Sequence, residues 1–209
     1  MVREYTFKHI LFMLAVIIFI TAGCSSSPPA RFYTLNPLNN TNINRNNTYR
    51  EYNDIVAIGP VIIPDYLDRP QIVARAGRNE LTLAEFDRWA GSLKEDVARV
   101  LLDNLSTFLH EKQVSVFAWK RAIPFDYRVT VNFSMFDIYP DDYVILKVSW
   151  VIFDSDGGTV VTMNDSSYKE SIDGKGYDAA VAAMSRALAG LSRDMACGIC
   201  ETVSYEEEE

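Results

Sequence analysis

The sequence predicts a two-layer α+β domain, a largely antiparallel sheet with two long amphipathic helices on one face. Three observations point to it. Residues 127–139 and 143–153 alternate apolar and polar side chains at the period of a strand. Pro140-Asp141-Asp142 between them, and Asp154-Ser155-Asp156-Gly157-Gly158 after them, are hairpin-turn compositions. Two other stretches repeat apolar residues three and four apart, as helices that cover a sheet do.

The chain opens with Arg3 and Lys8, an apolar run of 11 residues from Ile10 to Ile20, and the small-residue stretch Thr21-Ala22-Gly23-Cys24. That order is a secretory signal, and the run is too short for a membrane-spanning helix, which takes roughly 20 residues. Because the small-residue stretch ends on a cysteine, residues 1–23 read as a lipoprotein signal peptide and Cys24 as the lipid attachment site, carrying diacylglycerol and an acyl chain. One chain binds a membrane only marginally, whereas three hold a protein there. Ser25, a non-Asp residue after the cysteine, fits export to the outer membrane in enteric-type bacteria. Residues 24–209 hold 18 Lys/Arg against 27 Asp/Glu, a net charge of −9, which disfavours nucleic acid as a partner.

Residues 24–30 form a polar, Pro-containing lipidated tether, and Arg31-Phe32-Tyr33-Thr34-Leu35 begins the domain, which extends to residue 200. Residues 39–53 are dominated by Asn and bury too little to offset their ordering entropy, so a mobile loop is expected. Ile55-Val56-Ala57-Ile58 and Val61-Ile62-Ile63 form a β-branched run interrupted by Gly59-Pro60, which should be a bulge or an edge. Gln71-Ile72-Val73-Ala74-Arg75 is the next strand.

Thr82-Leu83-Ala84-Glu85 has the spacing of a capping box, and Phe86, Ala90, Leu93, Val97, Leu101, Leu105 and Phe108 follow at helical intervals. One long helix ending near Lys112 is expected, with Arg88, Lys94, Glu95, Arg99 and Asp103 on a solvated face. Strands are expected at 114–119, 127–139, 143–153 and 159–168. A second helix over 177–195 places Tyr177, Val181, Met184, Leu188, Leu191 and Met195 on one stripe. Residues 201–209 read as an acidic tail.

Few constellations carry chemistry. Cys197-Gly198-Ile199-Cys200 follows a helix, and a helix C-terminus disfavours a thiolate, so a local structural disulfide is expected over a redox site. A membrane-tethered thiol oxidoreductase remains the alternative, beside a passive envelope-structural lipoprotein. His110 is the only histidine after Cys24 and sits near a helix end, where a cation meets the helix dipole favourably. The Asp154–Gly158 run resembles a calcium loop but departs from it at the third and twelfth ligand positions, so a turn is expected and no metal site. No phosphate-binding loop, nucleophile elbow or zinc helix is present, so neither cofactor nor catalysis is expected. The 59–70 segment, with three prolines and Tyr66, Leu67, Asp68, Arg69 and Pro70, is a rigid shaped loop and the candidate partner interface.

Cys24 with its preceding small residues, Arg31-Phe32-Tyr33-Thr34-Leu35, the 59–70 segment, Ile72-Val73-Ala74-Arg75 and Asn79-Glu80-Leu81 together resemble the ABC-type transport auxiliary lipoproteins, in particular the PqiC-like ones. The likeness continues through Glu85-Phe86-Asp87-Arg88-Trp89-Ala90 and Arg99-Val100-Leu101-Leu102-Asp103-Asn104-Leu105. The resemblance implies a non-enzymatic lipoprotein at the periplasmic face of the outer membrane. It also implies a periplasm-spanning, PqiB-like MCE-domain protein as partner in lipid transport, and assembly as a homo-oligomer.

Overall fold

The computed structural model describes residues 12–13, 27–38, 53–120, 123–156 and 158–206. Cys24, nearly all of the signal peptide, residues 39–52 of the expected mobile loop and Glu207–Glu209 of the expected tail lie outside them. The chain divides into residues 1–30 and 31–209, and every element below belongs to the second unit. Among the described residues no helix is long and apolar enough to cross a membrane.

Eight strands and two α-helices are described: β1 (Arg31–Tyr33), β2 (Asp54–Ile62), β3 (Gln71–Arg75), β4 (Leu81–Trp89), α1 (Leu93–Leu109), β5 (Val114–Ala118), β6 (Tyr127–Tyr139), β7 (Tyr143–Phe153), β8 (Val160–Ser171) and α2 (Gly176–Glu206). The α+β class holds, and the sheet is mixed. Its longest ladders are the expected meander: β7 runs antiparallel to β6 from Arg128↔Phe153 to Tyr139↔Tyr143, and β8 runs antiparallel to β7. Both turns are where Pro140 and Gly158 place them. In the first, Asp141 takes the left-handed φ of 58° that Asp tolerates.

The other edge of β6 carries parallel partners. β2 lies along residues 127–132 with β5 outside it. Further along, β3 meets β6 at Ala74↔Ile138, with β4 antiparallel to β3 and β1 parallel to β4. Parallel pairing needs a crossover rather than a hairpin, and the path from β2 to its parallel partner β5 runs through β3, β4 and α1. β2 passes through Gly59-Pro60 with a register shift between Ile58 and Val61, the bulge that Pro60 implied. Gly59 has φ 134°, a conformation that a side chain would strain, and precedes a cis peptide bond.

The first helix starts ten residues later than the Thr82 box implied. Leu81–Trp89 is a strand, paired to β3 from Val73↔Leu83 to Arg75↔Leu81 and to β1 from Arg31↔Asp87 to Tyr33↔Trp89. The cap is Ser92, whose Oγ accepts from the Glu95 amide at 3.4 Å. Ser92-Leu93-Lys94-Glu95 has the same spacing as Thr82-Leu83-Ala84-Glu85, and sheet partners decide between them. From Leu93 onward the expected stripe holds, with Val97, Leu101 and Leu105 fully buried, and a 3₁₀ turn at His110–Lys112 ends it.

α2 runs eleven residues past the expected end at Met195, because the stripe continues through Ile199 and Thr202, both buried. The acidic tail expected from residue 201 is therefore helical as far as Glu206. α1 packs on β2 and β5, α2 on β7 and β8, and the helices on each other. The core between them joins Leu101, Leu105, Met184, Leu188 and Leu191 to Val129, Phe136, Leu146 and Ile152, all essentially inaccessible. Each such side chain contributes roughly 1.5–3 kcal/mol.

Gly198 marks the closest approach of α2 to the sheet: a Cβ there would stand 2.6 Å from the Trp150 ring, which is itself 3 % exposed. Overpacking costs typically 1–3 kcal/mol, against the gain of up to about 1 kcal/mol that alanine brings to a helix. Gly198→Ala should therefore lower the thermal midpoint in calorimetry, and an unchanged or raised midpoint would show that Trp150 can move aside.

Candidate functional site

The 59–70 segment divides into an inward and an outward part. Pro64 and Asp65 carbonyls accept from the Leu67 and Asp68 amides at 2.9 and 3.2 Å, a turn that directs Leu67 into the core at 3 % exposure. Tyr66 packs against the core, and its hydroxyl donates to Asp137 Oδ1 at 2.5 Å. Arg75 Nε donates to the other oxygen of Asp137 at 2.6 Å, and its guanidinium carbon stands 6.0 Å from the Tyr66 ring centre. Burial, and then the hydrogen bond to Asp137, push the Tyr66 hydroxyl well above its ordinary range; the bond to Asp137 raises the Arg75 guanidinium.

Of the five residues proposed as a partner interface, Tyr66 and Leu67 are thus committed to the domain itself. Asp68, Arg69 and Pro70 are exposed and remain available, presented on a turn whose far end is held by the Trp89 amide donating to the Pro70 carbonyl at 2.8 Å. The cause is Asp137, a carboxylate 2 % exposed in the apolar stretch Phe136-Asp137-Ile138, which requires donors close by. A carboxylate set between two buried apolar residues is the signal that could have found it.

A similar arrangement holds the entry of the chain. Tyr33 donates its hydroxyl to Asp87 Oδ1 at 2.7 Å, and Arg31 reaches the same carboxylate at 2.8 and 3.1 Å. Burial would raise the Asp87 pKa, but the Tyr33 and Arg31 hydrogen bonds outweigh it and hold the carboxyl below its ordinary value. Tyr33 is pushed up to about 12, by burial first and by Asp87 second.

The next residues are clamped onto the helices. Asp96 accepts from the Leu35 amide at 2.6 Å and from Thr34 Oγ1 at 2.9 Å, and Arg99 donates to the Leu35 carbonyl at 2.7 Å. Asn104, fully buried, accepts from the Leu38 amide at 2.8 Å and donates to Ser192 on α2. Arg99 therefore does more than line a solvated face. The segment after the tether is fixed along both helices.

Cys197 and Cys200 sit one turn apart within α2, the first exposed and the second half-buried, and both are free thiols. Along the helix they are not joined in the local disulfide that the spacing suggested. Burial pushes the Cys200 thiol up, only partly opposed by Lys112, which is the reverse of what an attacking thiolate requires. In the 154–159 turn, Asp156 Oδ1 accepts from the Gly158 amide at 2.6 Å and the Thr159 amide at 3.3 Å, so that carboxylate closes its own hairpin. Among the described residues no group of three or more His, Cys, Asp or Glu could hold a metal ion.

An apolar core under a mixed sheet, with a tightly clamped entry segment, defines a small two-layer α+β domain. Residues 33–196 match the family described as the ABC-type transport auxiliary lipoprotein component, and the chain belongs to that family. Among curated proteins none matches it. Its fold is shared with the crystal structure of an uncharacterized protein at TM-score 0.68 and 19 % identity, covering 82 % of this chain and 99 % of that one. A protein from Xanthomonas campestris is similar at TM-score 0.63 and 15 % identity, covering 87 % of this chain and 97 % of its own.

Because the Asp87 carboxyl is held below its ordinary value of 3.8, its contribution to stability is complete above that pH. It is lost as pH falls through the lower folded-state value. Asp87→Asn should therefore destabilise the domain at neutral pH by about 1–3 kcal/mol and shrink the difference from wild type below pH 4. Urea melts across that range would show it; a difference independent of pH would contradict the charge-assisted account.

Proposed function

We propose that this chain is a lipoprotein anchored through Cys24 to the outer membrane and facing the periplasm. There it serves as a non-enzymatic, PqiC-like auxiliary subunit of an MCE-type intermembrane lipid transport system. It contributes to envelope integrity, works beside a PqiB-like MCE-domain protein that spans the periplasm, and assembles as a homo-oligomer.

The observation that carries this reading is family membership across residues 33–196, and a cysteine at position 24, after small residues and seven positions before Arg31, suits it. The docking surface in this account is the exposed Asp68-Arg69-Pro70 tip. It is stiffened from beneath by Tyr66 and Leu67, so little ordering entropy is lost on binding. The raised Cys200 thiol supports the adapter over the oxidoreductase alternative.

The test is photocrosslinking in intact envelopes, with photoreactive groups at Asp68 and Arg69 of the full-length lipoprotein and readout by mass spectrometry. Capture of an MCE-domain protein is expected. Recovery of peptidoglycan alone, or of this chain alone, would favour a passive structural lipoprotein.

A further inference from the structure

The β1 margin carries a feature that auxiliary-subunit docking leaves unused. β1 is a sheet edge, paired to β4 alone, and Phe32 at its centre keeps 65 % of its surface exposed. Its Cα partner Arg88 is exposed too, and Arg88 is in turn the partner of Gln71, two residues after the exposed Arg69. From the other side of β1, Arg31 keeps 68 % of its side chain exposed even while paired to Asp87. An uncovered aromatic ring thus stands beside Arg88 on one face of the β1–β4 pair, with Arg31 on the other face.

The acidic groups at this corner are Asp87, paired with Arg31, Asp68, beside Arg69, and Asp178, whose charge acts on Tyr33. Arg88 has no acidic residue as a ladder partner, facing Phe32 on one side and Gln71 on the other. Arginine pairs with phosphate through a planar fork, and an aromatic ring suits the boundary between headgroups and acyl chains.

The length of chain before the domain selects the occupant. Six residues lie between Cys24 and Arg31, and the seven extended steps they make reach at most about 25 Å. A unit the size of residues 31–209 is roughly 40 Å across. A bilayer that holds Cys24 is therefore within reach of β1 and cannot be approached from the far side of the domain alone.

We propose that the β1 margin is a membrane-contact surface. Phe32 enters the headgroup region of the bilayer that holds the lipidated Cys24, and Arg88 beside it meets anionic lipid phosphates. This rests on the lipid-anchor reading above. It adds an orientation to that reading: the tether draws the domain down on one corner, and the clamps from Tyr33 to Leu38 transmit that placement to both helices.

The test reconstitutes the full lipidated chain, carrying Cys197→Ser and Cys200→Ser, on vesicles of phosphatidylethanolamine and phosphatidylglycerol. A nitroxide is placed through Phe32→Cys, or through Met163→Cys, 67 % exposed on β8, as the aqueous reference. Electron paramagnetic resonance then compares collisions with oxygen and with a water-soluble nickel complex. The oxygen-to-nickel ratio should be several-fold higher at position 32 than at 163, and Arg88→Glu should lower it. Equal ratios at the two positions, with lipid found on the Cys24 peptide by mass spectrometry, would overturn the contact surface while leaving the anchor intact. An unmodified Cys24 peptide would overturn both. Shielding of position 32 that arises only when an envelope protein is added would assign the corner to that protein instead.

Discussion

A single buried carboxylate joins the two parts of the sheet. β6 holds β7 along its whole length, but its connection to β3, and through β3 to β4 and β1, runs through one backbone pairing, Ala74↔Ile138. Beside that pairing, Asp137 accepts from Arg75 on β3 and from Tyr66 on the turn before it. Leaving a carboxylate there without donors would cost several kcal/mol, so the turn, β3 and β6 are fixed together or not at all. The exposed tip at 68–70 and the β1 margin are both positioned through this junction.

The same physical device appears twice because the domain has two weakly paired margins. β1 contributes only three residues to the sheet, too few to stay paired by backbone bonds alone. Tyr33 and Arg31 on Asp87, then Asp96 and Arg99 around Leu35, supply what the ladder lacks. Under the anchoring proposed at Cys24 the consequence would be mechanical: tension on the tether would reach the helices through charge-assisted hydrogen bonds rather than through a frayed end.

What was legible in the sequence was local. The β6–β7–β8 meander follows from alternation and two turn compositions, and the bulge at Pro60 follows from a missing amide proton. α2 was legible in its stripe, although Gly198 disguised its continuation; the glycine is there because Trp150 is close, a fact about the sheet and not about the helix. β4 was hidden for a related reason. Its Thr82-to-Glu85 spacing matches the true cap at Ser92, and only pairing with β3 and β1 separates a strand from a helix start. The parallel pairings were invisible, since no local pattern records them. The rigidity of the 59–70 segment could be read from its prolines. Its division into an inward Tyr66 and an outward Arg69 could not, because the acceptor, Asp137, lies 71 residues away.

The central claim is that Asp137 couples the turn and β3 to the rest of the sheet, and hydrogen exchange in Asp137→Asn tests it most directly. Loss of the charge should cost about 3 kcal/mol locally, roughly a hundredfold faster exchange, in β3, β4 and β1. Amides in β7 and in α2 around Leu188 should change far less. Uniform acceleration across all elements, or none in β3 and β4, would contradict a junction built on this carboxylate.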